Sequence, residues 1–321
     1  MSKPAKRLLS ALLVLCLMLS LCACSTKETA KDAESGKKRM IVCSIFPVYD
    51  FTRRIAGEKA DVYQLLPEGM DTHDYEPTLG DIINCDKADL FIYTDSEMEV
   101  WIDALSRGFE HVKLVRCAEN IDLEMLNEQW EQIENAHGEE EHDHEHRYDA
   151  HVWLDPTLSA VMCDNILKSL TALDPENAEY YNANCLSLKT DLAALDERFQ
   201  ALFSAHPDAV LFFGGKFSYS HFIRRYGVKY LSAYDGCSEN AEVNHLELIE
   251  LIAQMKLSGA KVVFTDELSN GEIAEEIARE TGAEVLVFHS CHNVSREEKK
   301  LSFIDLMNRN YDNISRALDG R

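Results

Sequence analysis

The sequence predicts an α/β protein of two (βα)4 lobes joined by one long rigid helix. Three observations carry that expectation. Short apolar or β-branched runs alternate with helix-periodic segments twice over. An uninterrupted amphipathic stretch separates the two series, and each series is shorter than about 150 residues, the size of a single domain.

In the first series, strands are expected at Met40 to Ile45, Val62 to Leu66, Leu90 to Tyr93 and Val112 to Arg116, with helices near Tyr49 to Ile55, Leu79 to Asp86 and Met98 to Gly108. A further helix is read over Leu158 to Leu173. The connector runs from Pro175 to about Ala205 with no internal Gly or Pro; a proline suits a first helical turn, and His206-Pro207 is a stop. At roughly 1.5 Å per residue its 30 or so residues reach roughly 45 Å, enough to fix two lobes relative to each other. The second series has strands at Val210 to Phe213, Lys229 to Ala233, Lys261 to Thr265 and Glu284 to Phe288. Its helices fall near Tyr219 to Arg225, Leu246 to Leu257, Ile273 to Thr281 and Phe303 to Leu318. Ser269-Asn-Gly-Glu272 offers a capping box for the third of these.

The N-terminus indicates a compartment. Lys3, Lys6 and Arg7 precede an apolar run, Leu8 to Leu21, shorter than the roughly 20 residues that span a bilayer. Leu21-Cys22-Ala23-Cys24 resembles a bacterial lipobox, in which the cysteine after a small residue is acylated and becomes the mature N-terminus, here Cys24. The expected organisation is a signal peptide over 1–23, a solvated tether over 24–38, an N-terminal lobe over 39–174, the linker helix over 175–206 and a C-terminal lobe over 207–321. The bulk of the chain is thus expected outside the cytoplasm, lipid-anchored to the cell membrane.

Thirty-two basic and 56 acidic side chains give a net charge of −24, and −27 once the three cations of residues 1–23 are removed. Such a surface attracts cations and argues against nucleic-acid partners. Cys43, Cys85, Cys117, Cys163, Cys185, Cys237 and Cys291 follow Cys24 at scattered spacings with no Cys-x-x-Cys pair, which implies no complete disulfide framework; Cys43, Cys85, Cys117 and Cys163, in apolar surroundings, are expected as buried free thiols, with at most one or two bridges in the chain.

The motifs that carry chemistry are His73-Asp74-Tyr75-Glu76-Pro77 and Asp149-Ala150-His151-Val152-Trp153-Leu154-Asp155-Pro156, which bracket an acidic tract with His137, His142, His144 and His146. Imidazole and carboxylate suit a borderline divalent metal. The tract is too polar to build a core and reads as an auxiliary loop that gathers cations. His73 follows the second strand and His151 precedes the apolar Trp153-Leu154, so both stand at element ends where ligands collect. His111, His206 and His245 have no constellation around them and read as incidental.

These motifs, with the lipobox, Leu173-Asp174-Pro175-Glu176-Asn177 and Arg224-Arg225-Tyr226-Gly227, resemble in order and spacing the ZnuA/TroA-like metal-binding lipoproteins of bacterial zinc and manganese ABC importers. The resemblance covers nearly all of the mature chain. It implies a metal held in the cleft between the lobes, with His73 and His151 as the two N-terminal-lobe ligands, and Glu76 and Asp149 behind them fixing the ring tautomers. In the C-terminal lobe the chain departs from the pattern. Lys216 stands where a third histidine is usual, and His289, after the last strand, stands where an aspartate is usual. His289 is therefore expected to coordinate, while Lys216 turns to a carboxylate such as Glu242. Cys291 and His292 are further candidates, with Cys291 alternatively pairing with Cys237, and His221 is expected to be packed more than coordinating.

Three imidazoles favour Zn²⁺ over Mn²⁺, and the implied activity is capture of zinc and its delivery to an ABC transporter permease and ATPase by a monomeric binding protein, not an enzyme. Two other classes stand beside it. A His₃ zinc hydrolase would use Glu76 or Glu267 as base, but the chain has no His-Glu-x-x-His helix and no Gly-x-Ser-x-Gly elbow. A metal-stabilised surface adhesin is the third.

Overall fold

The computed structural model describes residues 38–126, 149–234, 236 and 243–319. Cys24, the tether, the tract histidines His137, His142, His144 and His146, and also Cys237 and Glu242 lie outside the described residues.

The first sheet contains β1 (Arg39–Cys43), β2 (Ala60–Gln64), β3 (Leu90–Tyr93) and β4 (Lys113–Arg116), all parallel in the order β2-β1-β3-β4. Ile41, Val42 and Cys43 in β1 and Leu90, Phe91 and Ile92 in β3 are buried, as central strands covered on both faces require. The outer strands are mixed: Tyr63 of β2 and Leu114 of β4 are exposed. Between them run α1 (Phe46–Ala56), α2 (Leu79–Cys85) and α3 (Ile102–Ser106), and α4 (Pro156–Leu173) follows. Pro47 sits in the first turn of α1, and Gly57 ends it at φ 54°, where a Cβ would meet the Tyr180 hydroxyl at 2.3 Å. The segment read as a helix from Met98 begins only at Ile102, because the amides of Met98 and Glu99 turn back onto the Asp95 carbonyl.

The second sheet repeats the pattern. Strands β5 (Val210–Phe213), β6 (Lys229–Ser232), β7 (Val262–Thr265) and β8 (Glu284–Val287) are parallel in the order β6-β5-β7-β8. Helices α6 (Ser220–Tyr226), α7 (His245–Ser258), α8 (Glu272–Thr281) and α9 (Phe303–Asp319) accompany them. The Ser269–Glu272 capping box does not form. Gly271 stands at the N-cap of α8 in the left-handed region, and the Ser269 and Asn270 side chains accept from the amides of Gly271 and Glu272 in two tight turns. A capping box is present at Thr78 and Asp81, where it starts α2 directly after the His73 loop.

The connector is α5 (Ala178–Ala205), preceded by one 3-10 turn at Pro175–Asn177. Its 28 residues extend about 42 Å. Tyr181, Cys185, Leu188, Leu192, Leu195, Phe199, Leu202 and Phe203 bury one face at spacings of three and four. The first half packs on α1 and α4, the second on α6 and α9, where Phe199 meets Phe222 at 5.0 Å and Tyr311 at 5.5 Å between ring centroids. One hydrophobic core consequently runs from β1 through α4 and α5 to α9, and Arg39–Arg321 forms one compact unit. A polar strap reinforces it: Arg225 of α6 donates to Asp196 of α5 at 2.6 and 3.0 Å and lies 3.8 Å from Asp155, the N-cap of α4.

Cys43, Cys85, Cys117, Cys163, Cys185 and Cys291 are buried free thiols. Burial pushes the Cys43 thiol up to about 12, countered only in part by a hydrogen bond with Thr52. Among the described residues no helix is long and apolar enough to cross a membrane.

Candidate metal centre

Three loops meet, two of them at the carboxyl ends of strands. The first, after β2, carries His73. Gly69 takes φ 75° there, its amide donates to the Val294 carbonyl at 2.9 Å, and the Asp71 carboxylate accepts the His73 amide at 3.0 Å. Glu76, expected behind His73, is instead exposed, and Asp71 is the carboxylate that holds the His73 backbone.

The second loop carries His151 ahead of the 3-10 turn Val152–Leu154. The Asp149 carboxylate accepts from His151 Nδ1 at 2.6 Å and from its amide at 2.9 Å. Burial disfavours that charge, yet His151, through its ring and its amide, holds the Asp149 carboxyl well below the usual range. With its Nδ1 proton committed to Asp149, His151 carries its lone pair on Nε2, the nitrogen suited to coordination. His221 does not join the cluster. Its Nε2 donates across the lobes to the Asp149 carbonyl at 2.8 Å, and burial lowers its pKa, so it is a neutral packed imidazole that steadies the Asp149 turn.

The third loop follows β8. The ligand-capable atoms of His73, His151 and His292 all lie within 4.8 Å of one another, with ring centroids 5.8 Å (His73–His151), 5.4 Å (His73–His292) and 4.6 Å (His151–His292) apart. His292, not His289, is the C-terminal-lobe histidine that reaches the other two. The reason is the turn between them: Cys291 adopts φ 62°, and its amide donates to His289 Nδ1 at 2.9 Å. That turn sends His289 back into its own lobe, 3.3 Å from Glu267 and 3.6 Å from Glu298, while His292 faces the cleft. Burial opposes charge on His289, but these two carboxylates raise its pKa overall.

Several bonds pin the His292 loop to the first lobe. Trp153, two residues after His151, donates to the Ser290 carbonyl at 2.8 Å, and the Phe46 amide at the first sheet's switch point donates to the His292 carbonyl at 3.1 Å. Asn293 donates to the carbonyls of Pro67 and Met70 at 2.5 and 2.9 Å. Burial pushes the His292 pKa well down, keeping the ring neutral and able to donate a lone pair. Its Nε2 is buried with no hydrogen-bond partner. An orphaned imidazole nitrogen beside two other imidazoles fits a metal ion.

Cys291 stays outside the histidine group. Its thiol is directed to the His289 carbonyl at 3.7 Å, and burial holds its pKa well up. Lys216 also stays outside. Gly215 lets the chain approach Asp266, where a Cβ would sit 2.6 Å from the carboxylate, and the Lys216 ammonium then reaches across to Asp71 at 3.6 Å. The carboxylate that Lys216 finds is thus on the His73 loop. Asp71 and Ser290 carry no motif signal; only the three-dimensional meeting of loops reveals them.

Fold and site define a class: a two-lobed α/β binding protein with a histidine cluster between parallel-sheet lobes. Residues 41–317 match the family described as zinc-uptake complex component A, periplasmic (ZnuA), and the chain belongs to that family. The high-affinity zinc uptake system protein ZnuA of Bacillus subtilis (strain 168) is 32% identical over 313 residues, 94% of each chain. The zinc-binding lipoprotein AdcA of Streptococcus pneumoniae serotype 4 is 28% identical over 307 residues, 94% of this chain and 60% of that protein. Among solved structures, the metal-dependent lipoprotein YcdH from Bacillus subtilis matches with a TM-score of 0.72 at 29% identity, covering 88% of this chain and 99% of that one. The Zn(II)-bound ZnuA-like domain of Streptococcus pneumoniae AdcA shares the fold, with a TM-score of 0.71 at 23% identity over 88% of this chain and 100% of the domain.

Proposed function

We propose that this protein captures Zn²⁺ outside the cytoplasm through His73, His151 and His292 and delivers it to the permease of an ABC transporter driven by a separate ATPase. The observation that carries the reading is the convergence of three imidazoles, one with a buried unpartnered nitrogen. Imidazole suits zinc, whereas manganese favours carboxylate and water, and the described cluster contains no carboxylate. Zinc bonds of about 2.0–2.1 Å to nitrogen need ring shifts of only about an ångström or so from this geometry. Membership of an uptake-component family, and relatives named for zinc uptake, support capture and transfer over turnover. Acylation of Cys24 would hold the monomer at the membrane, and residues 137–146 would gather zinc weakly beside the tight site.

The test is metal analysis of protein purified without added metal, followed by competition titration with a chromophoric zinc chelator. One zinc per chain is expected, lost in His73→Ala and His151→Ala, and retained when residues 138–145 are deleted. A tight site that survives His151→Ala but not the deletion would overturn the assignment. Intact-mass analysis should show lipid on Cys24.

A further inference from the structure

An imidazole coordinates through a deprotonated nitrogen, so a binding site must also fix where the remaining proton resides. For His292 the surrounding hydrogen bonds make that choice. Glu267, in the loop after β7, accepts from the Ser290 amide through one carboxylate oxygen and from the Ser290 hydroxyl through the other, both at 2.7 Å. The Glu267 side chain is only 5% exposed. A carboxylate has no proton to offer, so the single hydroxyl proton of Ser290 is committed to Glu267. Ser290 Oγ also lies 2.5 Å from His292 Nδ1 and has only lone pairs left for that contact. His292 Nδ1 must therefore carry the ring proton, which makes Nε2, buried and without a hydrogen-bond partner, the coordinating atom.

We propose that Glu267 and Ser290 are positioning residues for the metal centre, a carboxylate-hydroxyl relay that locks His292 in its Nε2-donor tautomer. The relay deepens the zinc-capture reading and rests on it. It does at one remove what Asp149 does for His151 directly. Ser290 is held at three backbone or side-chain atoms: its amide and hydroxyl by Glu267, and its carbonyl by Trp153 beside His151. The relay thus sets the His292 ring relative to a residue of the opposite lobe, where the second ligand lies.

The experiment compares the full-length protein with Ser290→Ala, Glu267→Gln, the double variant and His73→Ala, by zinc competition titration and by the visible spectrum of the Co²⁺-loaded protein. Each single relay variant should weaken zinc binding about 10- to 100-fold and shift the Co²⁺ bands in the same way. The double variant should be no weaker than the worse single, because both changes break one chain of bonds. Glu267→Gln preserves shape and volume and carries the test if Ser290→Ala fails to fold. If His73→Ala loses zinc while both relay variants match the parent in affinity and spectrum, or if their losses multiply in the double variant, the relay is overturned alone. If the parent and His73→Ala titrate alike, the zinc reading falls and the relay falls with it.

Discussion

Two histidines three residues apart, His289 and His292, take opposite roles in one loop. His289 is buried 3.3 Å from Glu267 and 3.6 Å from Glu298 and accepts the Cys291 amide at Nδ1. His292 presents an unpartnered nitrogen to His73 and His151. His292→Ala should therefore lower zinc affinity by a factor on the order of 100 to 1,000 in competition titration, since it removes one of the three proposed ligands. His289→Ala should lower the thermal midpoint of unfolding, by taking the imidazole away from the buried Glu267 side chain and the partly exposed Glu298, while keeping zinc affinity within about tenfold of the parent. The reverse pattern would return the ligand role to His289. His73 and His151 were legible in the chain because each sits in a local motif at an element end. The choice between His289 and His292 was not, because it depends on the left-handed turn at Cys291, a non-glycine residue that no local preference places there.

At the scale of the elements, the ends of β1 and β3 meet at one buried carboxylate. Glu99 accepts from the Ser44 hydroxyl after β1 and from the amides of Thr94 and Asp95 at 3.0 Å after β3. Burial pushes its pKa up to about 6, despite these bonds. The folded state therefore holds this proton more tightly than the unfolded chain does, and ionising Glu99 as pH rises from about 4.5 to about 6 removes on the order of 2 kcal/mol of stability. In urea unfolding, the stability difference of Glu99→Gln from the parent should shift in favour of the variant across that window, and stay level above it. A difference that is flat with pH would refute this. The element pattern itself was legible: Leu90–Tyr93 and Val210–Phe213 fall where periodicity puts them. The capping box at Ser269 was not, because Gly271 takes the N-cap and two local turns use the same side chains.

For the molecule as a whole, the shared core makes the two lobes one cooperative body. Leu188 and Leu192 of α5 belong to the same continuous cluster as Phe91 in the first sheet and Phe264 in the second. Far-UV circular dichroism and tryptophan fluorescence should thus report one coincident urea transition. Zinc at about 1,000 times its dissociation constant should stabilise the fold by about 4 kcal/mol over chelator-treated protein. Two separated transitions, or zinc protection confined to one of them, would show lobes that fold and bind independently.

The chain by itself determined the two α/β series, the long connecting helix, the metal-handling character and the N-terminal-lobe histidines, because hydrophobic period and motif chemistry are local properties of consecutive residues. It could not determine which histidine of the β8 loop faces the cleft, which carboxylate Lys216 meets, or that Ser290 joins Glu267 to His292. Those facts depend on residues far apart in sequence: Asp71 and Lys216, Trp153 and Ser290, Glu267 and His292. They become neighbours only when two sheets pack against one helix and bring their loop ends together. The tertiary structure decided them because hydrogen-bond geometry is set by where three separate loops are held, to within a fraction of an ångström, and not by what any one of them contains.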